Sequence, residues 1–174
     1  MKLILAGIDA VNLLLKYVLA LLLVMMTVGA LGQVIVRFVV PLFGFNASAA
    51  WTEEVARFSM IWTVFLGAAW ALRHGELIAL DLVTHAVPRM LGIAIKALAY
   101  LSCAAFCLLL IVVGLEFAEI GEIERSPVLG LSKWYVFMAL PVGAGLMVMN
   151  IAGFLLACII EGRDPRGSLD AVAD

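Results

Sequence analysis

Four apolar stretches, each about twenty residues or longer and separated by short polar breaks, take up most of a 174-residue chain. No other feature restricts its folding as strongly. A bilayer core about 30 Å thick is crossed by roughly 20 residues of helix, and a helix can satisfy every backbone N–H and C=O within one segment. Hydrophobic residues make up 66% of the chain and the mean hydropathy is +1.17, beyond what a soluble domain could cover with polar side chains. The ten-residue alternating segments of a membrane barrel are absent. The expected fold is all-α and integral to a membrane: one four-helix domain over residues 1–174, with spans at about 17–36, 55–72, 90–115 and 134–160.

The flanks of these spans carry their own pattern. Tyr17 to Val36 holds no charge and is closed by Arg37, whereas the third span contains Lys96. Pro141, near the start of the fourth, removes one helical hydrogen bond and predicts a bend there. Lys2, Asp9, Asn12 and Lys16 fall on one helical stripe among Leu, Ile, Val, Ala and Gly, so residues 1–16 read as an amphipathic helix lying flat at the interface. Residues 74–87 read the same way, with His74, Asp81 and His85 on one face and Pro88 as the stop. Residues 161–174, with Pro165 and Gly167, read as a mobile tail. Four crossings put both termini on one side. Lys2, Lys16, Arg73, Arg89, Lys96, Arg163 and Arg166 share it, against Arg37, Arg57, Arg125 and Lys133 on the other. Seven basic residues to four predicts cytoplasmic termini.

Several kinds of chemistry have no residues to perform them. The two histidines, His74 and His85, fall outside the spans, so a bundle haem would lack its pair of ligands. Cys103 and Cys107 lie one turn apart and Cys158 is distant; they read as small packing residues rather than soft-metal ligands. Neither a phosphate-binding glycine loop nor a nucleophile–base set can be drawn. The chain is expected to have no catalytic, cofactor-binding or metal-binding residue, and no nucleic-acid partner.

The ionisable residues that remain gather at the start of the second span, Trp51-Thr52-Glu53-Glu54-Val55-Ala56-Arg57. Thr52 can cap the helix, acids in a first turn suit its dipole, and both Glu53 and Glu54 are within helical reach of Arg57. A capped helix end explains these residues without any further role. A second reading starts from the surplus negative charge at the membrane boundary, which Arg37 or a basic residue on another protein could neutralise. Lys96 is expected to snorkel to the headgroups, with Trp51 and Trp134 as interfacial anchors. Gln33 and Asn150 can bridge helices by hydrogen bonds, and Gly67/Ala71, Ala139/Gly143 and Gly153/Ala157 are spaced for close helix contact.

Glu53-Glu54-Val55-Ala56-Arg57, then Trp62, Phe65-Leu66-Gly67-Ala68-Ala69, Arg73, Gly75 and Asp81, resembles the signature of the small membrane subunit (DctQ-like) of tripartite ATP-independent periplasmic (TRAP) transporters. Ser126-Pro127-Val128-Leu129-Gly130-Leu131, followed by Trp134-Tyr135 and Pro141-Val142-Gly143, is similar to a second part of that signature. One position departs: the family commonly has His-Ile where Leu77-Ile78 stands here. The resemblance implies a bacterial inner-membrane protein that pairs with a large multi-span permease subunit and is served by a periplasmic substrate-binding protein. Uptake of an organic acid would be driven by sodium bound on the large subunit. Glu53, Glu54, Arg57, Arg37 and Arg73 are then candidates for structural or partner-binding charges, and membrane lipids are further contacts. Two other readings stay open: an autonomous proton-coupled exporter, which would need a carboxylate inside the bundle, and a tetraspan assembly or structural protein.

Overall fold

The computed structural model describes residues 2–43, 50–74 and 87–161. Helix α1 spans Lys2–Val34, α2 Ala50–His74, α3 Arg89–Ile123, the short α4 Trp134–Phe137, and α5 Ala139–Glu161. The described residues contain no strand, only an isolated bridge between Arg125 and Ser132. Four helical stretches are long and apolar enough to cross a membrane: Leu5–Phe43, Ala50–Arg73, Met90–Ile123 and Trp134–Cys158. The predicted central amphipathic segment and the predicted tail lie almost wholly outside the described residues.

Two expectations about α1 change. No break separates residues 1–16 from the first span; one helix of 33 residues runs through both, about 50 Å at 1.5 Å per residue. The reason is local: nothing between Lys2 and Val34 breaks a helix, and Ile8, Asn12 and Leu15, spaced i, i+4, i+7, are buried. That face packs against the rest of the protein instead of lying on a lipid surface. Asn12, expected on the solvated stripe, is only 5% exposed. At the other end α1 widens into a π-helical turn, Ile35–Val39, in which the Val40 N–H reaches the Ile35 carbonyl. It then tightens to a 3-10 turn at Val40–Phe43. Pro41 cannot donate to the carbonyl four residues back and its ring crowds that carbonyl, which accounts for the irregular exit.

The helices form an open row. α1 packs on α2, α2 on α5, and α5 on α3, with only a slight α1–α5 contact and no direct approach of α1 or α2 to α3. The core, Ala69, Leu72, Tyr100, Cys107, Ala144, Met147 and Ile151, lies where α5 meets α2 and α3. Small residues bring these backbones together. A Cβ on Gly143 would stand 2.6 Å from Phe65 Cβ, and one on Gly114 would stand 2.8 Å from Pro141 Cδ. The Ala139/Gly143 spacing read from the sequence is thus a real contact. The helix is interrupted at Met138, between α4 and α5 and three residues before Pro141, which has no N–H to offer the Phe137 carbonyl. α1 and α3 are the outer members of the row, each with a long apolar face left uncovered, including Leu21, Val28, Leu101 and Leu108.

Candidate functional site

Two polar clusters stand at opposite ends of α2. At its N-terminal end, Arg57 Nη2 pairs with Glu53 Oε1 at 2.7 Å, and Gln33 Nε2 of α1 donates to Glu53 Oε2 at 3.3 Å. Gln33 therefore bridges helices, as its position suggested. Among the described residues Glu54, which could have reached Arg57 by spacing, forms no direct ion pair with it, although the Arg57 charge is near enough to act on it. Successive helical residues point about 100° apart, so Glu54 turns toward the 124–133 loop and is buried there. It accepts from Ser126 Oγ, from the Val128 N–H at 3.1 Å and from the Leu129 N–H at 2.9 Å. Thr52 sits inside the first turn, since α2 begins at Ala50, and is not its cap. Arg37 is exposed and lies over the Phe38 ring at 5.9 Å; among the described residues it pairs with neither acid.

The loop that Glu54 holds is internally tied. The Ser126 N–H donates to the Leu131 carbonyl at 2.8 Å and the Gly130 N–H to the Ser126 carbonyl at 3.1 Å. Gly130 takes φ +65°, a left-handed value that favours glycine. Lys133 Nζ meets Glu124 at 2.6 Å, and Ser132 Oγ donates to the Gly121 carbonyl at 2.9 Å, satisfying one orphan acceptor at the end of α3. Further along, Trp62 Nε1 donates to the Tyr135 carbonyl at 3.1 Å. Residues of the two motifs thus touch in three places: Glu54 with Ser126, Val128 and Leu129; Trp62 with Tyr135; Phe65 with Gly143. Nothing in the sequence paired them, because they are more than seventy residues apart.

At the C-terminal end of α2, Arg73 donates to Asp9 Oδ1 through Nη2 at 2.6 Å and Nε at 3.2 Å, tying the start of α1 to the end of α2. Beneath it Asn12 and Asn150 exchange amide hydrogen bonds of 2.7 and 3.0 Å. Asn150 Nδ2 also donates to the Ala69 carbonyl at 2.6 Å. Three helices meet at this buried knot. Asn150 was legible as a bridging residue; Asn12 was not. Lys96 corrects a further expectation. It is 1% exposed and its Nζ lies 5.9 Å from the Phe154 ring centroid. The cause is register: residues 96, 100, 103 and 107 share the stripe of α3 that packs on α5, so Lys96 faces protein and does not snorkel along a lipid face. Trp51 is exposed at the start of α2, and Trp134 is half-buried with its ring edge-on to Tyr135 at 5.2 Å.

Among the described residues no three His, Cys, Asp or Glu side chains gather as metal ligands. Cys107 Sγ lies 3.7 Å from Met147 Sδ in the core, a packing contact between apolar helices. The geometry builds a helix array with its ion pairs, among the described residues, at its two ends.

Comparison with known proteins points to one family. Residues 26–160 match the family described as "Tripartite ATP-independent periplasmic transporters, DctQ component". The chain is 24% identical over 130 residues to the C4-dicarboxylate TRAP transporter small permease protein DctQ of Pseudomonas aeruginosa, a match covering 71% of this chain and 61% of that one. It is 32% identical over 108 residues to the isethionate TRAP transporter permease protein DctMQ of Oleidesulfovibrio alaskensis, covering 60% of this chain and 17% of that one. The chain thus spans less than two thirds of the length of either relative. With four membrane-crossing helices and this family match, the chain belongs to the DctQ family and is a small, multi-pass inner-membrane subunit of the TRAP transporter type.

Proposed function

We propose that this chain is the fixed scaffold of a TRAP transporter, paired with a large permease subunit that carries substrate and sodium, and supplied by a periplasmic binding protein with an organic acid. The observation that carries this reading is the open row of helices with an ion pair on its outside. Glu53 and Arg57 are 51% and 61% exposed, and an exposed i, i+4 pair contributes only about 0.3–0.5 kcal/mol to a helix in water. So small a gain leaves the pair with little structural role of its own. A second protein seated on α2 would give the pair a use. The DctMQ relative supports such a partner, because the part like this chain occupies only 17% of it and is covalently joined to much more protein.

Cytoplasmic termini follow from the basic-residue count. The Asp9–Arg73 cluster would then lie on the cytoplasmic side, and the Glu54-held loop on the periplasmic side, where the binding protein delivers its cargo. The test is co-expression with a TRAP large permease subunit from the same genome, followed by purification in mild detergent through a tag on this chain. A large multi-span protein in stoichiometric amount supports the reading. A chain that elutes alone contradicts it.

A further inference from the structure

At the Asp9–Arg73 end, a groove of about 640 Å³ opens between α1, α2 and α5. Its lining is mixed: Lys16, Arg73 and Asp9 are charged, Asn12 is polar, and Trp70 and Phe154 are aromatic. Lys16 is the last charged residue before the uncharged run from Tyr17 to Val36, about 30 Å of helix and so one hydrocarbon thickness. The groove therefore sits at headgroup level, where a tryptophan is also favoured. A free anion would use the charged groups alone and leave the Trp70 and Phe154 wall uncovered. A lipid presents both halves that the groove complements.

We infer that this groove holds the headgroup of an anionic phospholipid, with phosphate at Lys16 and Arg73 and an acyl chain along Phe154. The charge balance favours an anionic over a zwitterionic lipid. Lys16 and Arg73 against Asp9 leave one positive charge, which a phosphatidylglycerol neutralises. Among the described residues Arg73 bonds only to a single oxygen of Asp9, through Nε and Nη2, whereas a guanidinium carries five N–H groups. Lys16 is exposed at the rim, positioned as a point charge. Basic pockets between transmembrane helices are recurrent headgroup sites, and the volume falls in the range of ordinary ligand sites, roughly 300–1,000 Å³.

The test uses the full chain in nanodiscs of equimolar phosphatidylglycerol and phosphatidylcholine. After extraction in mild detergent, retained lipids are counted by native mass spectrometry. Phosphatidylglycerol should be enriched about fivefold over phosphatidylcholine: both present the same phosphodiester, but the choline cation sets a like charge beside Lys16 and Arg73, and fivefold is roughly what one basic residue contributes toward a net anionic lipid. Lys16→Gln should bring the ratio toward one, and Lys16→Arg should keep it. Among the described residues Lys16 makes no hydrogen bond or ion pair that Gln would break, and an unchanged unfolding temperature checks that the fold is intact. Equal retention of the two lipids, indifference to Lys16→Gln, or preference for phosphatidylethanolamine in a third mixture would each overturn the assignment. Displacement of phosphatidylglycerol by millimolar inorganic phosphate would overturn it too, by showing a site for a free anion. None of these outcomes depends on transport or on the partner subunit.

Discussion

Replacing Asn150 with alanine removes a side chain that ties three helices together at once. Its amide donates to Ala69 and to Asn12, and its oxygen accepts from Asn12. Asn150 is fully buried and Asn12 nearly so, so water cannot take over these bonds. Hydrogen bonds between helices in membranes contribute about 0.6 kcal/mol on average and up to about 1.7. Three of them, two shorter than 2.8 Å, therefore come to about 2–3 kcal/mol. Asn12 keeps one partner, the Ile8 carbonyl at 2.8 Å, and the Ala69 carbonyl keeps its place in the α2 ladder, so the loss should not go far beyond that sum. At about 2–4 °C per kcal/mol for a chain of this size, Asn150→Ala should lower the unfolding temperature in detergent by about 5–10 °C. A double-mutant cycle with Asn12→Ala isolates the amide pair, with a coupling of about 1 kcal/mol. Replacing both residues with leucine should recover part of the loss, since removing both partners orphans neither. A coupling near zero would refute the reasoning: it would mean that the two amides do not hold α1 to α5.

Other perturbations separate structural from partner roles. Glu54→Ala should raise hydrogen exchange at the Val128 and Leu129 amides by at least tenfold, read by mass spectrometry, with little change in α1. Gly143→Leu places a side chain where Phe65 Cβ would be 2.6 Å from the new Cβ; overpacking of that kind costs about 1–3 kcal/mol, seen as a lower unfolding temperature. Arg73→Ala should free the start of α1, measured as a broadened distance distribution between spin labels on α1 and α5. Glu53→Ala with Arg57→Ala should leave the unfolding temperature within about 2 °C, because the pair is exposed, while recovery of the large subunit in a pull-down falls severalfold.

The fold was largely legible because a bilayer imposes one rule on length and hydropathy, and four stretches obey it. Pro141 and the Ala139/Gly143 spacing were legible for a related reason: a missing N–H and a missing side chain act locally. What escaped was rotational setting. In a helix apolar on every side, periodicity does not show which face meets protein. Lys96 and Asn12 were therefore assigned to lipid or solvent, whereas packing buries both. The same ambiguity put Glu54 with Arg57 when its true partners lie in the 126–129 turn. Sequence spacing reports neighbours within one helix, and Glu54 is joined to residues 72 to 75 positions away.

The most direct measurement is solute uptake into proteoliposomes under an imposed sodium gradient, comparing this chain alone with the chain co-purified with its large subunit, each with the cognate binding protein present. A scaffold predicts accumulation of the organic acid only when the large subunit is there, and background signal from the chain by itself. Gradient-dependent uptake by the isolated chain would contradict it.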